Sequence, residues 1–185
     1  MGEYFQSFAD AWAAFLTRTE PLESFYDEFT GGAFDGEVWV IAPTPEVKRA
    51  ALRVQGELER FDFLELVPHH FLHVSVPRAA VHEFKEPIDL EYRLVNCFHT
   101  AIVAEIDAPA LRALDPAPTF LPHMTLAVVR RPEAPDELRR VLMPLRDTVF
   151  GRQRVDEVMR IHVDLSRERG LQPWTVVDRL QVARA

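Results

Sequence analysis

The segment Phe71-Leu72-His73-Val74-Ser75-Val76, with its echo Leu121-Pro122-His123-Met124-Thr125-Leu126, decides how this chain is expected to fold. Each segment is a short apolar run that holds one histidine, with a hydroxyl residue two positions later. Because side chains alternate between the faces of a strand, His73 shares a face with Ser75, and His123 shares a face with Thr125. The opposite faces are apolar and suit a core. We therefore predict two strands that each offer an imidazole and a hydroxyl to a site.

The context of the two histidines favours a functional role for both. With seven histidines in the chain, about half a His-x-Ser/Thr pair is expected by chance from composition, so the number of pairs alone says little. Both imidazoles, however, lie within apolar strands, where they cost free energy unless they are hydrogen-bonded or used. They share one phase and lie 50 residues apart, in comparable places of the two halves of the chain.

Two histidines with two hydroxyls suit the cleavage of a phosphodiester without a metal. A neutral imidazole takes a proton from the attacking water or hydroxyl, and an imidazolium gives a proton to the leaving oxygen. The hydroxyls of Ser75 and Thr125 can donate hydrogen bonds to the non-bridging phosphate oxygens as charge develops there. We therefore take His73 and His123 as candidate catalytic residues and the two hydroxyl residues as candidate phosphate ligands.

Composition limits the class of protein. The chain has 185 residues and a formal net charge of −8, so it is long enough for a buried core but is unsuited to gripping extended nucleic acid through its phosphates. A single cysteine, Cys97, excludes an intramolecular disulfide and a cysteine-based zinc site. No secretory signal and no apolar run of bilayer length is apparent. We expect a cytoplasmic, monomeric protein that binds no membrane.

Periodicity and turn residues predict an alternation of helices and strands. Aromatic residues at steps of three or four predict an amphipathic helix over 3–18, and a further helical turn or two follows Pro21 and ends at Gly31-Gly32. Residues 77–91 are expected to form a loop, with or without a short helix in it, and residues 115–118 are expected to stop a short helix. The other predicted helices are 45–60, 109–114 and 136–147, and the predicted strands are 37–43, 63–67, 71–76, 93–98, 100–106, 121–130, 154–165 and 174–182.

The two motifs resemble the paired His-x-Thr/Ser-x signature of the 2H phosphoesterase superfamily, which includes 2′,5′-RNA ligase-like proteins and RNA 2′,3′-cyclic phosphodiesterases. The order of the predicted elements from about residue 38 to 182 is also similar to that family. The resemblance implies an α+β, two-lobed fold, in which two antiparallel sheets face one another across a central cleft with helices outside. It implies His73 and His123 as the acid/base pair, with Ser75 and Thr125 holding the phosphate.

The resemblance divides the chain into two parts and leaves the substrate open. We expect an N-terminal helical extension, 1–32, packed on a single two-lobed domain, 33–185. Pro77 and Arg78 follow the first motif where many relatives have an aromatic-Leu-Gly tail, and Val128 stands where many have an arginine. The substrate is accordingly a 2′,3′-cyclic phosphate on a nucleotide or an RNA end, or a smaller cyclic nucleotide or nucleotide-sugar phosphate.

Other residues are candidates for contacts with the substrate. Trp174 can stack on a base, with an edge-of-core position as the alternative. Arg130 and Arg78 are candidate phosphate partners. His69 and His70 precede the first motif, but adjacent strand residues point to opposite faces and no matched ligand set accompanies them. We therefore expect no metal and no cofactor.

Two other classes of function remain open from the sequence. A non-catalytic module could bind a nucleotide or an RNA end in the same cleft, without turnover. An interaction protein could work through the aromatic N-terminal helices, in which case deleting residues 1–30 would abolish partner binding and spare hydrolysis. The presence of both histidines and both hydroxyls favours catalysis, because a binder has no need of two proton-transfer groups.

Overall fold

An antiparallel sheet with helices on its outer side organises the chain. The computed structural model describes residues 5–78, 81, 86–113, 120–171 and 174–182, without the side chain of residue 30. Within these ranges the helices are α1 (Phe8–Thr17), α2 (Pro45–Leu58), α3 (Pro109–Ala113) and α4 (Asp136–Leu145), and two 3₁₀ turns span Phe25–Glu28 and Thr30–Gly32. The strands are β1 (Ala33–Ile41), β2 (Leu64–Leu66), β3 (Val74–Val76), β4 (Ile88–Cys97), β5 (Ala101–Asp107), β6 (His123–Val129), β7 (Val149–Val155), β8 (Glu157–Ser166), β9 (Gly170–Leu171) and β10 (Thr175–Gln181).

The sheet consists of two halves that meet between the two motif strands. Its strand order is β10-β8-β1-β3-β6-β5-β4-β7, and a single residue pair, Val74 with Met124, joins β3 to β6. We call β10-β8-β1-β3, with β9, the first half-sheet, and β6-β5-β4-β7, with β2, the second half-sheet. The sheet curls, and side chains from both halves line one cavity. The predicted α+β fold is confirmed, but the two separate sheets of the prediction are the halves of a single curled sheet, which this one residue pair joins.

A bulge in β6 changes which side chains of that strand face the cavity. Val103 of β5 lies opposite Thr125, whereas the preceding Ile102 lies opposite Ala127, so β6 carries one extra residue between them. Such a bulge shifts the alternation of side chains by one position. As a result Val128, three residues after Thr125, lines the same cavity as Thr125.

Helix α2 holds this bulge from the outer side of the sheet. The helix begins at Pro45, where the hydroxyl of Thr44 accepts a hydrogen bond from the backbone N–H of Val47 at 3.3 Å. The buried amide of Gln55 donates to the carbonyl oxygens of Val67 and Leu126, at 2.7 and 2.8 Å. One side chain therefore bonds two backbone carbonyls at the bulge, and the carbonyl of Leu126 also accepts from the N–H of Val67 at 3.0 Å.

Several elements differ from the sequence-based prediction. Strand β4 begins at Ile88, inside the predicted loop over 77–91, because its first residues pair with β7. The turns predicted after Pro21 form only short 3₁₀ segments, because the N–H groups of Leu22 and Glu23 donate to Glu133 and His99 instead of closing a helix. The strand predicted over 154–165 is two strands, β7 and β8, which lie in different half-sheets. The first motif strand is short, and His73 lies just before it. Residues 3 and 4 of the predicted first helix, part of the loop over 77–91, and the helix stop at 115–118 lie outside the described residues.

Residues 22–32, which we call the strap, run from the end of the second half-sheet to β1. The N–H of Leu22 donates to the carbonyl of Glu133 at 2.8 Å, and the hydroxyl of Ser24 donates to the carbonyl of Arg130 at 2.8 Å. Both Leu22 and Ser24 are buried. The strap is thus fixed along the edge where β6 ends. The division of the chain into 1–32 and 33–185 stays a prediction.

A shared carboxylate fastens the strap to the sheet. The buried Tyr26 hydroxyl donates to one oxygen of Glu65 on β2 at 2.7 Å, and the other oxygen accepts from the N–H of Leu171 at 2.7 Å. Burial, with the adjacent carboxylate, raises the pKa of Tyr26, so the phenol keeps its proton and remains a donor. Glu65 therefore joins three segments: the strap, β2 and the β8–β9 hairpin.

We expect Tyr26→Phe to lower the free energy of unfolding by about 1.5–3 kcal/mol, because the variant keeps the ring and loses a buried hydrogen bond to a carboxylate. Urea denaturation followed by circular dichroism measures the change. Arg131→Ala is the control, since its ion pairs with Asp62 and Glu133 are exposed and each should contribute less than about 1 kcal/mol. Equal stability of wild type and Tyr26→Phe would contradict this role of the phenol.

Candidate active site

A cavity of about 340 Å³ lies between the two half-sheets. All four side chains of the two motifs reach it. The rest of the lining is apolar, and the full set of described lining residues is Phe25, Phe29, Phe34, Val38, Val67, Phe71, His73, Ser75, His123, Thr125, Val128, Val163, Leu165, Leu171 and Trp174. The volume lies at the lower end of the ~300–1,000 Å³ that is usual for small-molecule sites.

The strand pairing places the four polar side chains in two rows. In the antiparallel register set by Val74 opposite Met124, His73 falls in the row of Thr125 and Ser75 falls in the row of His123. Directly opposed residues of an antiparallel pair have Cβ atoms roughly 4.5–5.5 Å apart. Each imidazole therefore lies across from the other strand's hydroxyl, and the two histidines occupy one diagonal of a four-residue arrangement.

Both imidazoles are oriented by the same backbone contact. Nδ1 of His73 lies 2.7 Å from the carbonyl oxygen of Phe71, and Nδ1 of His123 lies 2.7 Å from the carbonyl oxygen of Leu121. A carbonyl oxygen only accepts hydrogen bonds, so Nδ1 must carry the proton in both rings. The neutral form of each ring then has its lone pair on Nε2, and this nitrogen is available for proton transfer.

Burial favours the neutral form of both rings. Loss of solvent lowers the pKa of His73, although the hydrogen bond to Phe71 works in the opposite direction. Loss of solvent likewise lowers the pKa of His123, and a positive charge on His73 lowers it further. Protonation of one ring is therefore expected to disfavour protonation of the other. The site therefore disfavours the state in which both imidazoles are charged.

Of the three further candidates from the sequence, only Trp174 reaches the cavity. Its indole N–H donates to the carbonyl oxygen of Phe71 at 3.5 Å, the same oxygen that orients His73. Arg130 is exposed, does not line the cavity, and has its Nε 3.8 Å from a Glu65 oxygen. Arg78 is exposed at the end of the first motif and does not line the cavity.

The described residues contain no cluster of three or more His, Cys, Asp or Glu side chains that could hold a metal ion. His69 and His70 stack edge to face with their centroids 4.8 Å apart, but both are exposed and lie outside the cavity lining. Among the helices in the described ranges, none has both the length and the apolar character needed to cross a membrane.

Apart from Trp174, the aromatic part of the lining was missed by sequence analysis. Phe71 has the same strand phase as His73 and Ser75, so the motif itself held a signal for it. Phe34 lies on β1, for which the sequence predicts a strand that starts only at residue 37. Phe25 and Phe29 reach the cavity from the strap, and no local pattern indicates that.

We expect nitrogen-detected NMR of the histidine rings to show the Nδ1–H tautomer for His73 and His123, with both pKa values below the ordinary 6.5. In His73→Gln, the pKa of His123 should rise, because a neighbouring positive charge is removed. His69→Gln is the control and should leave the pKa of His123 unchanged. An Nε2–H tautomer in either ring, or a pKa above 6.5, would contradict the geometry.

Comparison with known proteins finds similarity in structure but not in sequence. No family model and no curated protein matches the chain. The structure of TT0787 from Thermus thermophilus is similar at a TM-score of 0.56 and 17% identity, covering 80% of this chain and 97% of that one.

Structures of E. coli LigT are similar in the same way. The apo form has a TM-score of 0.57 and 14% identity, covering 90% of this chain and 100% of LigT. The complex with 3′-AMP has a TM-score of 0.52 and 12% identity, covering 81% and 98%. At these identities the similarity concerns the fold alone. The resemblance expected from the paired motifs is confirmed for the fold. The chain has the fold of LigT and TT0787.

Proposed function

We propose that this protein is a metal-independent phosphodiesterase that hydrolyses 2′,3′-cyclic or related phosphodiesters of nucleotides or RNA ends. His73 and His123 are the acid/base pair, and Ser75 and Thr125 bind the phosphate. The observation that carries the proposal is the equivalent placement of two imidazoles in one cavity, each with Nδ1 held by a backbone carbonyl two residues earlier. Two histidines that served only to fill the core would not be expected to share one cavity and the same Nδ1 contact.

The proposed reaction needs one neutral and one protonated imidazole. Nε2 of the neutral ring takes a proton from water as the water oxygen bonds to phosphorus. Nε2 of the other ring gives its proton to the ribose oxygen as the bond from that oxygen to phosphorus breaks. The products are a phosphomonoester and a free hydroxyl, and the pair exchanges its protonation states. Each proton transfer typically contributes roughly 100- to 10,000-fold in rate.

The two hydroxyls complete the site around the phosphate. Because Ser75 and Thr125 lie across from His123 and His73 respectively, a phosphorus atom between the imidazoles has a hydroxyl beside each of them. Donors in this position stabilise the non-bridging oxygens, where negative charge grows during attack. The apolar lining keeps competing water away and strengthens these hydrogen bonds.

The structural neighbours support a small nucleotide as the ligand. LigT has been crystallised with 3′-AMP, with NADP+ and with ATP. Trp174 and Phe71, whose ring centroids lie 5.6 Å apart in the cavity wall, offer aromatic surface for a base. The proposal retains the expectation of a cytoplasmic monomer that needs no cofactor.

The second candidate function is a non-catalytic module that binds a nucleotide in the same cleft. The apolar cavity supports nucleotide binding equally well with or without catalysis. It predicts calorimetric binding of nucleotides without turnover. Catalysis is preferred because both Nε2 atoms are left available, which binding alone does not require.

We expect wild type to hydrolyse nucleoside 2′,3′-cyclic phosphates in the presence of EDTA. His73→Ala and His123→Ala should each lower kcat by roughly 100- to 10,000-fold, because each removes one proton-transfer group. His69→Ala, which alters an exposed histidine outside the cavity, is the matched control and should retain activity. Full activity in either cavity variant would remove the mechanism, and binding without any turnover would favour the second candidate.

The pH dependence of kcat/KM should be bell-shaped, with its midpoint below pH 6.5, because the pKa of both histidines is lowered from 6.5 in the free enzyme. Activity falls on the acid side as both rings become charged, and on the alkaline side as both become neutral. The kcat profile should lie at higher pH, since the anionic substrate raises both pKa values. Initial rates from pH 4 to 9 test this, and a midpoint above 6.5 for kcat/KM would contradict it.

A further inference from the structure

The strap is bonded firmly to the second half-sheet. The N–H of Glu23 donates to the carbonyl of His99 at 2.9 Å. The hydroxyl of Thr100 donates to the carboxylate of Glu28 at 2.6 Å. The carbonyl of His99 and the hydroxyl of Thr100 belong to the turn between β4 and β5, so the middle of the strap is held against the second half-sheet, whose strand β6 carries His123.

The same segment is bonded to the first half-sheet. Asp27 forms an ion pair with Arg167, which lies in the turn after β8. The backbone N–H of Arg167 donates to the carbonyl of Gly32 at 2.9 Å. Glu65 adds a third link, because it accepts from Tyr26 of the strap and from Leu171 of β9. The strap therefore crosses between the half-sheets and closes one end of the cleft.

Two phenylalanines of the strap form part of the cavity wall. Phe25 and Phe29 both line the cavity and contact each other edge to face, with centroids 5.2 Å apart. Phe29 continues the aromatic surface onto Phe34 of β1 at 5.7 Å. Phe25 packs on the small apolar cluster that includes Val128. The closed end of the cleft is thus aromatic and aliphatic throughout.

The part of the cavity lining that the structure describes carries no permanent charge. None of its described residues is a lysine, arginine, aspartate or glutamate, and its polar groups are the four motif side chains and the indole of Trp174. One imidazolium can balance one phosphodiester. A second anionic group in the cavity would lack a partner, and an unpaired charge in apolar surroundings is strongly disfavoured.

Resting on the proposed function, we propose that the strap makes this site selective for nucleoside 2′,3′-cyclic phosphates with a free 5′-hydroxyl. The base lies against the aromatic wall to which Phe25 and Phe29 contribute. A 5′-phosphate, or the 5′-linked phosphate of an RNA end, enters the uncharged lining and is rejected. Phe25 and Phe29 are specificity-determining residues that act on binding of the substrate.

The first test compares adenosine 2′,3′-cyclic phosphate with the same compound carrying a 5′-phosphate. Wild type should prefer the first in kcat/KM by at least about tenfold, mainly through KM, because the second charge is unpaired. Val163→Lys places a cation on the partly exposed cavity wall and should reduce this preference by about tenfold. Val149→Lys changes the net charge equally at a position that is 68% exposed and should leave the preference unchanged.

The second test changes the strap without adding charge. Phe29→Ala should lower kcat/KM for the 5′-hydroxyl compound by about tenfold through lost stacking. It should also reduce the ratio of kcat/KM between the 5′-hydroxyl and 5′-phosphate compounds, because water that enters the cavity can solvate the second charge. Leu16→Ala removes an apolar side chain of α1 that is 37% exposed, and it is the control. Thermal melts establish that all variants fold, and Phe29→Ala remains decisive if Val163→Lys does not fold.

The outcomes separate this inference from the proposed function. Hydrolysis of both compounds at equal kcat/KM, unchanged in Phe29→Ala, overturns the inference and leaves the proposed function intact. If neither compound is hydrolysed, the proposed function fails, and calorimetric Kd values for the two compounds then test only whether the cavity rejects a second phosphate. Tighter binding of the 5′-hydroxyl compound supports this rejection, and equal Kd values overturn it.

Discussion

The pairing of Val74 with Met124 is the contact on which the site depends. It is the single residue pair between β3 and β6, and it joins the half-sheets where their cleft side chains are the motif histidines and hydroxyls. Because the pairing is antiparallel, it relates the two motifs by an approximate two-fold rotation, which places like residues on diagonals. A slip of one residue would turn one motif toward the core and the other toward the cleft. The register is protected by the apolar faces, since Val74 and Met124 are fully buried.

The apolar surroundings of the two histidines underlie both the proposed acid/base chemistry and the proposed selectivity for substrate charge. Both depend on the exclusion of water from the cavity. Removing water from the cavity lowers the pKa of both imidazoles, so a neutral base is available near neutral pH. The same exclusion of water makes each charge inside the cavity dependent on a direct partner. No described residue of the lining is a fixed cation, so in our proposal the site binds one phosphodiester and tolerates little additional charge.

Local periodicity was sufficient to predict the motif strands, because a two-residue repeat assigns His73 and Ser75 to one face without knowledge of the rest of the fold. The strap could not be predicted in this way. Its conformation depends on partners distant in sequence, such as Ser24 bonded to Arg130, 106 residues away. The division of the predicted 154–165 strand into β7 and β8 could not be predicted either, because the two strands are separated by one residue, Asp156, and no turn signal marks the break. The cavity position of Val128 depends on the β6 bulge, which Gln55 fixes from another element.

We propose that the two imidazoles act on opposite sides of one phosphorus atom. A crystal structure with a nucleoside 2′,3′-cyclic vanadate, which imitates the five-coordinate transition state, would test this arrangement. We expect Nε2 of His73 and Nε2 of His123 within about 2.6–3.2 Å of the two opposite apical oxygens, with Ser75 and Thr125 on the equatorial ones. Vanadate bound by only one histidine, or outside the cavity between the half-sheets, would contradict it.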